Sequence, residues 1–364
     1  GKEKENLKLS RKLFLNNNRI SATQISEYYS CPYQHFLTRG LRLKEDLPYN
    51  INNMDIGKIL HRVCELFVNQ LKNANNLENF DIENAKEVVI DKIKDEYKNI
   101  FEYDDNRFIM PYLIKDAQKI MNKLFKFACN SSFKTSFTEY EIKPYKIEND
   151  IKNINLVGKI DRIDELGDEF VVIDYKTGDA TFKTQNIYYG IKMQLLIYAL
   201  VYLKQTNKQV VGVGYFPIND KFIENKDGNT LDFRVNGSYL KEVEVLENLD
   251  NSIKNNENTK KISEIYDFYV QETKKGTSFS NNLVDRGMFL KVCNYVDSMI
   301  KQSTKDILNG VILVSPYKNG NKEPCDYCKY KSICKKELYH VKRKLSAKNY
   351  KDFINYFFNY NFNL

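Results

Sequence analysis

The clearest pattern along the chain is a pair of apolar runs between residues 156 and 176. The runs 156–163 and 170–176 are rich in Val, Ile and Leu, and a Glu-Leu-Gly-Asp cluster separates them at 165–168. Runs of this length around a glycine-containing turn predict a β-hairpin. The middle of the second run is apolar throughout, at 171–173, which is typical of a strand buried on both faces.

Apolar positions recur every three or four residues on either side of this hairpin and predict helices. Helices are expected at 21–29, 33–38, 55–73, 82–101, 108–128, 186–202 and 284–309. Further strands are expected at 133–145, 210–216 and 311–314, and the polar region 219–282 is expected to hold a hairpin around 226–229 and a helix near 259–274. The order strand, strand, helix, strand predicts an α/β fold with a mixed central sheet flanked by helices and a helical N-terminal region. The sheet should be mixed because the hairpin is antiparallel and a helical crossover favours a parallel neighbour.

Charged residues at the end of the second hairpin strand form a first candidate site. Side chains alternate along a strand, so Asp174 and Lys176 share a face. A turn centred on residues 166 and 167 places Asp161 opposite Val172 and diagonal to Asp174, about 7–8 Å away at the backbone. Two carboxylates at that distance can hold one metal ion, whereas a solvated salt bridge also explains the Asp–Lys pair. The apolar strand favours the metal site, because ionised groups at the end of a buried strand need partners.

Three other side chains could lie near this site. Glu139 and Glu141 share a face of the preceding strand and could reach the same region, although exposed strand carboxylates are the simpler interpretation. His61 lies on or beside the apolar stripe of the helix predicted at 55–73. A histidine in that position is either a core residue or a metal ligand.

Composition limits the classes of function. The 56 Lys and Arg residues exceed the 48 Asp and Glu residues, and this excess favours a polyanionic partner but also fits a plain solvated surface. Aromatic and basic residues are mixed at 28–44, which suits either single-stranded nucleic acid or core packing. The sequence has no apolar run of about 18 residues, no apolar signal region and no Walker-type loop. We therefore expect a soluble, cytoplasmic protein without membrane contact or nucleotide hydrolysis of its own, and the missing initiating Met suggests a piece of a longer chain.

Cysteine spacing points to a second site. Cys325, Cys328 and Cys334 follow the pattern C-x2-C-x5-C, and Cys31, which also lies beside a proline, is the candidate fourth ligand. Four thiolates can hold zinc or an iron–sulfur cluster, and the spacing does not choose between them. Such a cofactor would join parts of the chain about 290 residues apart, where closing a long loop stabilises most. The cysteines at 64, 129 and 293 lie in apolar helical stretches and are expected to be buried thiols.

Four short motifs, taken together, resemble a known family. They are GKILH at 57–61, GKIDR at 158–162, DYKTG at 174–178 and QLLIY at 194–198. With the divided cysteine set, the chain resembles the RecB-type branch of the PD-(D/E)XK nucleases, in the subgroup that carries an iron–sulfur staple. The stretches 21–43 and 325–334 are most similar to subunits of bacterial helicase–nucleases that process double-strand breaks. The resemblance covers roughly residues 20–340.

The resemblance implies a role for each matching residue. His61, Asp161 and Asp174 match the metal ligands, and Lys176 matches the catalytic lysine. Gln194 and Tyr198 match a Q-x-x-x-Y motif that shapes the site and helps to position DNA. Cys31, Cys325, Cys328 and Cys334 match the ligands of a [4Fe–4S] cluster, which would join the termini around a restriction-endonuclease-like core. The metal would be Mg²⁺, or Mn²⁺ because His61 is a softer ligand than Mg²⁺ prefers.

The resemblance also implies a function and partners. We expect an N-terminal arm at 1–20, a nuclease domain at 21–345 and a helix or tail at 346–364. The domain would be a DNA exonuclease that acts on single-stranded ends, by family analogy on the 5′-ended strand, beside a motor subunit of the AddA type. Three alternatives remain: a free-standing nuclease of the Cas4 type, a catalytically silent DNA-binding module, and an interaction protein stapled by zinc.

Overall fold

The computed structural model describes most of the chain. The described residues are 5–6, 13, 18–43, 53–101, 108–148, 151–218, 222–225, 228–231, 234–254, 258–319, 322–334 and 343–344. Most of the arm predicted at 1–20, and all of the helix or tail predicted at 346–364, lie outside them.

The helices flank a central sheet. In chain order they are α1 (Ala22–Ser30), α2 (Pro32–His35), α3 (Asn53–Asn73), α4 (Ile82–Glu96), α5 (Lys98–Phe101), α6 (Met110–Asn130), α7 (Thr184–Tyr188), α8 (Gln194–Thr206), α9 (Val243–Leu249), α10 (Arg286–Leu308) and α11 (Lys331–Cys334). A π-helical turn follows α2 at Phe36–Gly40, and 3-10 turns lie at Asn251–Ile253 and Pro324–Tyr327. No helix in the described part of the chain is both long and apolar enough to cross a lipid bilayer.

The strands include several short ones near the chain ends. In order they are β1 (Glu5–Asn6), β2 (Arg19–Ser21), β3 (Lys134–Glu141), β4 (Tyr145–Ile147), β5 (Ile154–Val157), β6 (Lys159–Leu166), β7 (Glu169–Lys176), β8 (Gln209–Pro217), β9 (Phe222–Asn225), β10 (Gly228–Leu231), β11 (Asn236–Leu240), β12 (Lys260–Ile262), β13 (Tyr269–Thr273), β14 (Gly276–Phe279), β15 (Leu283–Val284), β16 (Val311–Ile312), β17 (Tyr317–Lys318) and β18 (Arg343–Lys344).

The central sheet has six strands in the order β15-β11-β8-β7-β6-β3. The pair β6–β7 is antiparallel and the pair β7–β8 is parallel, so the predicted mixed sheet is confirmed. Helices cover both faces. Arg162 of β6 stacks on Phe127 of α6, whereas Phe170 of β7 packs against Tyr202 of α8 on the other face. The core of the chain lies between these layers, as the predicted α/β architecture requires.

The register of the central hairpin differs from the predicted one. The turn is centred on Gly167 and Asp168, and Leu166 pairs with Glu169. Gly167 has a φ of +58°, a left-handed conformation that two-residue hairpin turns need and that glycine adopts without steric cost. Continued along the strands, this register places Asp161 directly opposite Asp174, so the diagonal placement was wrong. The two carboxylates still share a face.

The first predicted strand of the hairpin is broken at Gly158. β5 pairs with β2 and β4 in a separate three-stranded sheet, and β6 continues into the central sheet. A Cβ at Gly158 would lie 2.8 Å from Cε1 of Tyr198. Only glycine therefore allows the backbone to pass this close to α8.

Three predicted helices are wrong in detail. The helix predicted at 82–101 is divided at Tyr97 into α4 and α5. The helix predicted at 186–202 is two helices, α7 and α8, because Gly190 takes a φ of +77° between them. The helix predicted near 259–274 is absent from the described residues there, where β12 and β13 form an antiparallel sheet with β14. The hairpin predicted around 226–229 is present as β9 and β10.

Candidate active site and cysteine pocket

Asp161 and Asp174 lie side by side at the end of the hairpin. Asp161 accepts a 2.8 Å hydrogen bond from the backbone N–H of Tyr175, and Asp174, only 1% exposed, pairs with Nζ of Lys176 at 2.6 Å. Burial, followed by the charge of Asp174, raises the pKa of Asp161 well above its usual range. Two largely buried carboxylates that face each other across neighbouring strands need cationic partners.

His61 and Glu139, with Asp161, form a group of one imidazole and two carboxylates, which we call the acidic group. His61 projects from α3, and its Nδ1 lies 3.4 Å from Oδ2 of Asp161. One ligand atom from each of His61, Glu139 and Asp161 lies within 4.8 Å of the others. Burial lowers the pKa of His61, so its imidazole is neutral near pH 7 and can act as a ligand. This trio has the donor atoms for one divalent cation, and Asp174 pairs with Lys176 beside it.

Glu139 is the site residue that the sequence placed least well. In β3, Thr138 pairs with Arg162 and Tyr140 with Ile160, so Glu139 lies opposite Asp161. Its φ of +50° is uncommon for a residue other than glycine, and its side chain is 20% exposed. The shared face with Glu141 was the only sequence signal for it, and the simpler interpretation as an exposed carboxylate does not hold.

Lys176, Gln194 and Tyr198 lie on the α8 side of the sheet. Nζ of Lys176 donates to Oε1 of Gln194 at 3.4 Å. Gln194 begins α8, and Tyr198 follows one helical turn later on the same face. Burial, with Asp174 adding, raises the pKa of Tyr198 to about 12, so this tyrosine keeps its proton. The structure therefore gathers every residue of the predicted active site at one end of the hairpin.

An open cavity of about 460 Å³ leads to this group. Its walls are formed by the start of α3, the turn near Tyr97 and the ends of β3, β6 and β7, through the residues Asn53, Met54, Gly57, Lys58, His61, Arg62, Glu65, Tyr97, Glu139, Asp161 and Thr177. A substrate can therefore reach the acidic group from solvent.

The four candidate cysteines line one small pocket. Cys31 is the residue that follows α1. Cys325 lies in the 3-10 turn at Pro324–Tyr327, Cys328 follows this turn, and Cys334 is the last residue of α11. Burial raises the pKa of the Cys31 thiol, and the nearby Cys328 adds to this effect. The other pocket residues are mostly apolar: Tyr33, Gln34, Leu37, Val314, Pro316, Pro324 and Tyr330. Four thiols in a dry pocket are a suitable donor set for a metal cofactor.

The remaining cysteines are not all buried. Cys64 and Cys293 are buried, as expected, and Cys129 is exposed near the end of α6. The expectation was therefore wrong for Cys129, because the apolar stripe of α6 faces the core elsewhere around the helix.

Direct contacts also join the two ends of the chain. The backbone N–H of Tyr33 donates to the carbonyl of Leu313 at 3.1 Å, and the hydroxyl of Tyr330 donates to the carbonyl of Leu43 at 3.1 Å. Tyr28, part of the aromatic and basic stretch, is buried and donates to the carbonyl of Val311. The cysteine pocket therefore lies in a junction that the protein builds itself.

Comparisons with known proteins match this chain over most of its length. A family model described as the PD-(D/E)XK nuclease superfamily matches residues 19–335. The curated relatives include proteins named as the B-type subunit of an ATP-dependent helicase/deoxyribonuclease. The one from Clostridium tetani is 30% identical over 357 residues, which cover 89% of this chain and 30% of the relative. Those from Clostridium kluyveri and a Thermoanaerobacter species are each 28% identical, over 89% and 90% of this chain and 30% of each relative. The chain thus spans less than a third of the length of these relatives.

Proposed function

Because this chain belongs to the PD-(D/E)XK nuclease superfamily, we propose that it hydrolyses phosphodiester bonds of DNA as the nuclease domain of a helicase–nuclease subunit of the AddB type. The names of the relatives support this assignment, and the divided cysteine set and motifs of the sequence agree with it. We propose residues 21–345 as one nuclease domain. Its setting would be double-strand-break processing and recombinational repair in the cytoplasm.

The group of His61, Glu139 and Asp161 beside Lys176 is the observation that carries this proposal. Carboxylate oxygens with one imidazole suit Mg²⁺ and accommodate Mn²⁺. A bound divalent ion would lower the pKa of a water molecule and polarise the scissile phosphate. His61, Asp161 and Glu139 would hold the ion, and Asp174 would join them or orient Lys176.

The residues on the α8 side act on the substrate. The Lys176 ammonium can donate to a phosphoryl oxygen on which negative charge develops during hydrolysis. Gln194 restrains Lys176 through a hydrogen bond. The buried Tyr198 keeps its hydroxyl within the electrostatic field of Asp174 and Asp161. We propose that single-stranded ends, by family analogy those of the 5′-ended strand, enter the open cavity. A motor subunit of the AddA type would deliver them, as a heterodimer with the full-length protein.

We propose that the cysteine pocket holds a [4Fe–4S] cluster with a structural role. The four thiols that line one apolar pocket are the donor set that such a cluster needs. The resemblance of the divided cysteine set to the iron–sulfur subgroup of the family favours the cluster over a single zinc ion.

Digestion of end-labelled single-stranded DNA tests the nuclease. Cleavage with Mg²⁺ should be lost with EDTA and in the Asp174→Ala and Lys176→Ala variants. Asp168→Ala removes an exposed carboxylate from the turn of the same hairpin, so its activity should match the wild type. An inactive isolated chain would be tested again in the assembled complex. Unchanged cleavage by Asp174→Ala would exclude this site, and DNA binding without cleavage in both preparations would identify a silent module.

Absorption spectra test the cluster. The purified protein should be brown with a band near 400 nm, and Cys325→Ser should remove the band and lower the melting temperature. Cys129→Ser, at an exposed cysteine outside the pocket, should change neither. A colourless wild-type protein that contains stoichiometric zinc would contradict the proposal.

A further inference from the structure

Lys176 is held by groups from three parts of the fold. Its Nζ lies 2.6 Å from Oδ2 of Asp174 and 3.4 Å from Oε1 of Gln194. The third group is the ring of Tyr215, whose centroid lies 5.4 Å from the same Nζ. The lysine side chain is long and a third exposed, so its position depends on these neighbours.

Tyr215 is built into the sheet beneath the site. It lies on β8 directly opposite Asp174 of β7, and in a parallel pair both side chains point to the same face. The residue is 2% exposed, and its hydroxyl donates to the backbone carbonyl of Lys192 at 3.3 Å. This carbonyl precedes Gln194 by two residues, so Tyr215 contacts the lysine through its ring and anchors the start of α8 through its hydroxyl.

We propose that Tyr215 is a positioning residue of the nuclease site, which holds the Lys176 ammonium in its working position through the negative face of its ring. The inference rests on the proposed function. An ammonium within about 6 Å of a ring centroid is attracted by the ring quadrupole. Without the ring, Asp174 and Gln194 remain as the restraints, and the ammonium can swing about the Asp174 carboxylate away from its working position.

A fluorine series at position 215 tests the charge of the ring without changing its shape. Tyr215→Phe removes the hydroxyl and keeps the ring, so it is the reference for the series, and any loss caused by the missing hydrogen bond to Lys192 is common to every member. Phenylalanine analogues with one, two and three fluorine atoms then weaken the negative face in steps. At saturating DNA the cleavage rate should fall with each fluorine, by about tenfold over the series. DNA affinity in EDTA should stay within about twofold.

The same series at Tyr202 is the matched control. Tyr202 is also 2% exposed and packs on the α8 face of the sheet, and its hydroxyl donates to Glu165 at the far end of the hairpin. Fluorination there should leave the rate unchanged. A flat series at 215, or a loss that appears only in DNA affinity, would overturn the role of Tyr215 while leaving the nuclease intact. No cleavage by the wild type, alone or in the complex, would refute both proposals.

Discussion

Replacing Gly158 by alanine should displace Tyr198 beneath the candidate active site. The new Cβ would lie 2.8 Å from Cε1 and 2.9 Å from the hydroxyl oxygen of Tyr198, whereas ordinary contacts begin near 3.4 Å. The ring must therefore retreat by about 0.6 Å. It is 5% exposed and packed in the core, so it has little room to do so.

The cost of this displacement can be bounded. Overpacking of this kind destabilises by about 1–3 kcal/mol. For a chain of this length the unfolding entropy converts that range to a fall in melting temperature of about 1–4 °C. Since a shift of about 1 Å in a catalytic group can cost about a hundredfold in rate, the smaller shift of Tyr198 should lower cleavage about tenfold.

Thermal unfolding and single-turnover digestion of labelled DNA measure these two effects. Gly287→Ala is the matched control, because its Cβ would meet only Oδ1 of Asp285 at 3.6 Å. Adding Tyr198→Leu to Gly158→Ala should restore part of the lost stability, since the clash is removed. The reasoning is refuted if Gly158→Ala melts and cleaves like the wild type.

Three further substitutions test other parts of the fold. Arg162→Met should lower the free energy of unfolding, measured in urea, by about 3–5 kcal/mol, because it leaves the fully buried Asp164 without its ion-pair partner. Adding Asp164→Leu should recover most of this loss. Glu139→Gln should raise the Mg²⁺ concentration for half-maximal cleavage by about tenfold or more, whereas Glu141→Gln, at an exposed position, should not. Asp285→Ala should lower the free energy of unfolding by about 1 kcal/mol, because it removes the N-cap of α10, whereas Asp285→Asn should change it little. Thermal unfolding measures both effects.

The alternation of side chains was enough to predict the shared face of Asp161 and Asp174. It could not supply the register, because that depended on whether Gly167 was the first or the second residue of the turn. Glu139 was harder still. Its place opposite Asp161 follows from the pairing of β3 with β6, including an irregularity between Thr135 and Phe137. Pairing between distant strands leaves no local trace in the sequence.

The apolar residues of the region 259–274 fit the spacing of a helix as well as that of a strand. Apolar residues at 262, 265, 266, 269 and 270 have helical spacing. In the structure Ile262 is exposed and Ile265 is buried, and from Tyr266 onward the buried residues are Tyr266, Phe268 and Val270, which alternate as in a strand. The shared pocket of the cysteines was easier to predict, because three of the candidate ligands are close in sequence and the contacts of Tyr33 and Tyr330 bring Cys31 to them.

The meeting of the two chain ends has a consequence for biosynthesis. Cys31 is translated before its pocket partners, and Cys325, Cys328 and Cys334 follow about 290 residues later. At about 5–20 residues per second, the ribosome needs roughly 15–60 s to cover that stretch. Throughout this time Cys31 has no partner thiols and the contacts with Leu313 and Tyr330 do not yet exist. The pocket is therefore completed only as synthesis of this region ends, and insertion of the proposed cluster becomes a late checkpoint on the maturation of the whole domain.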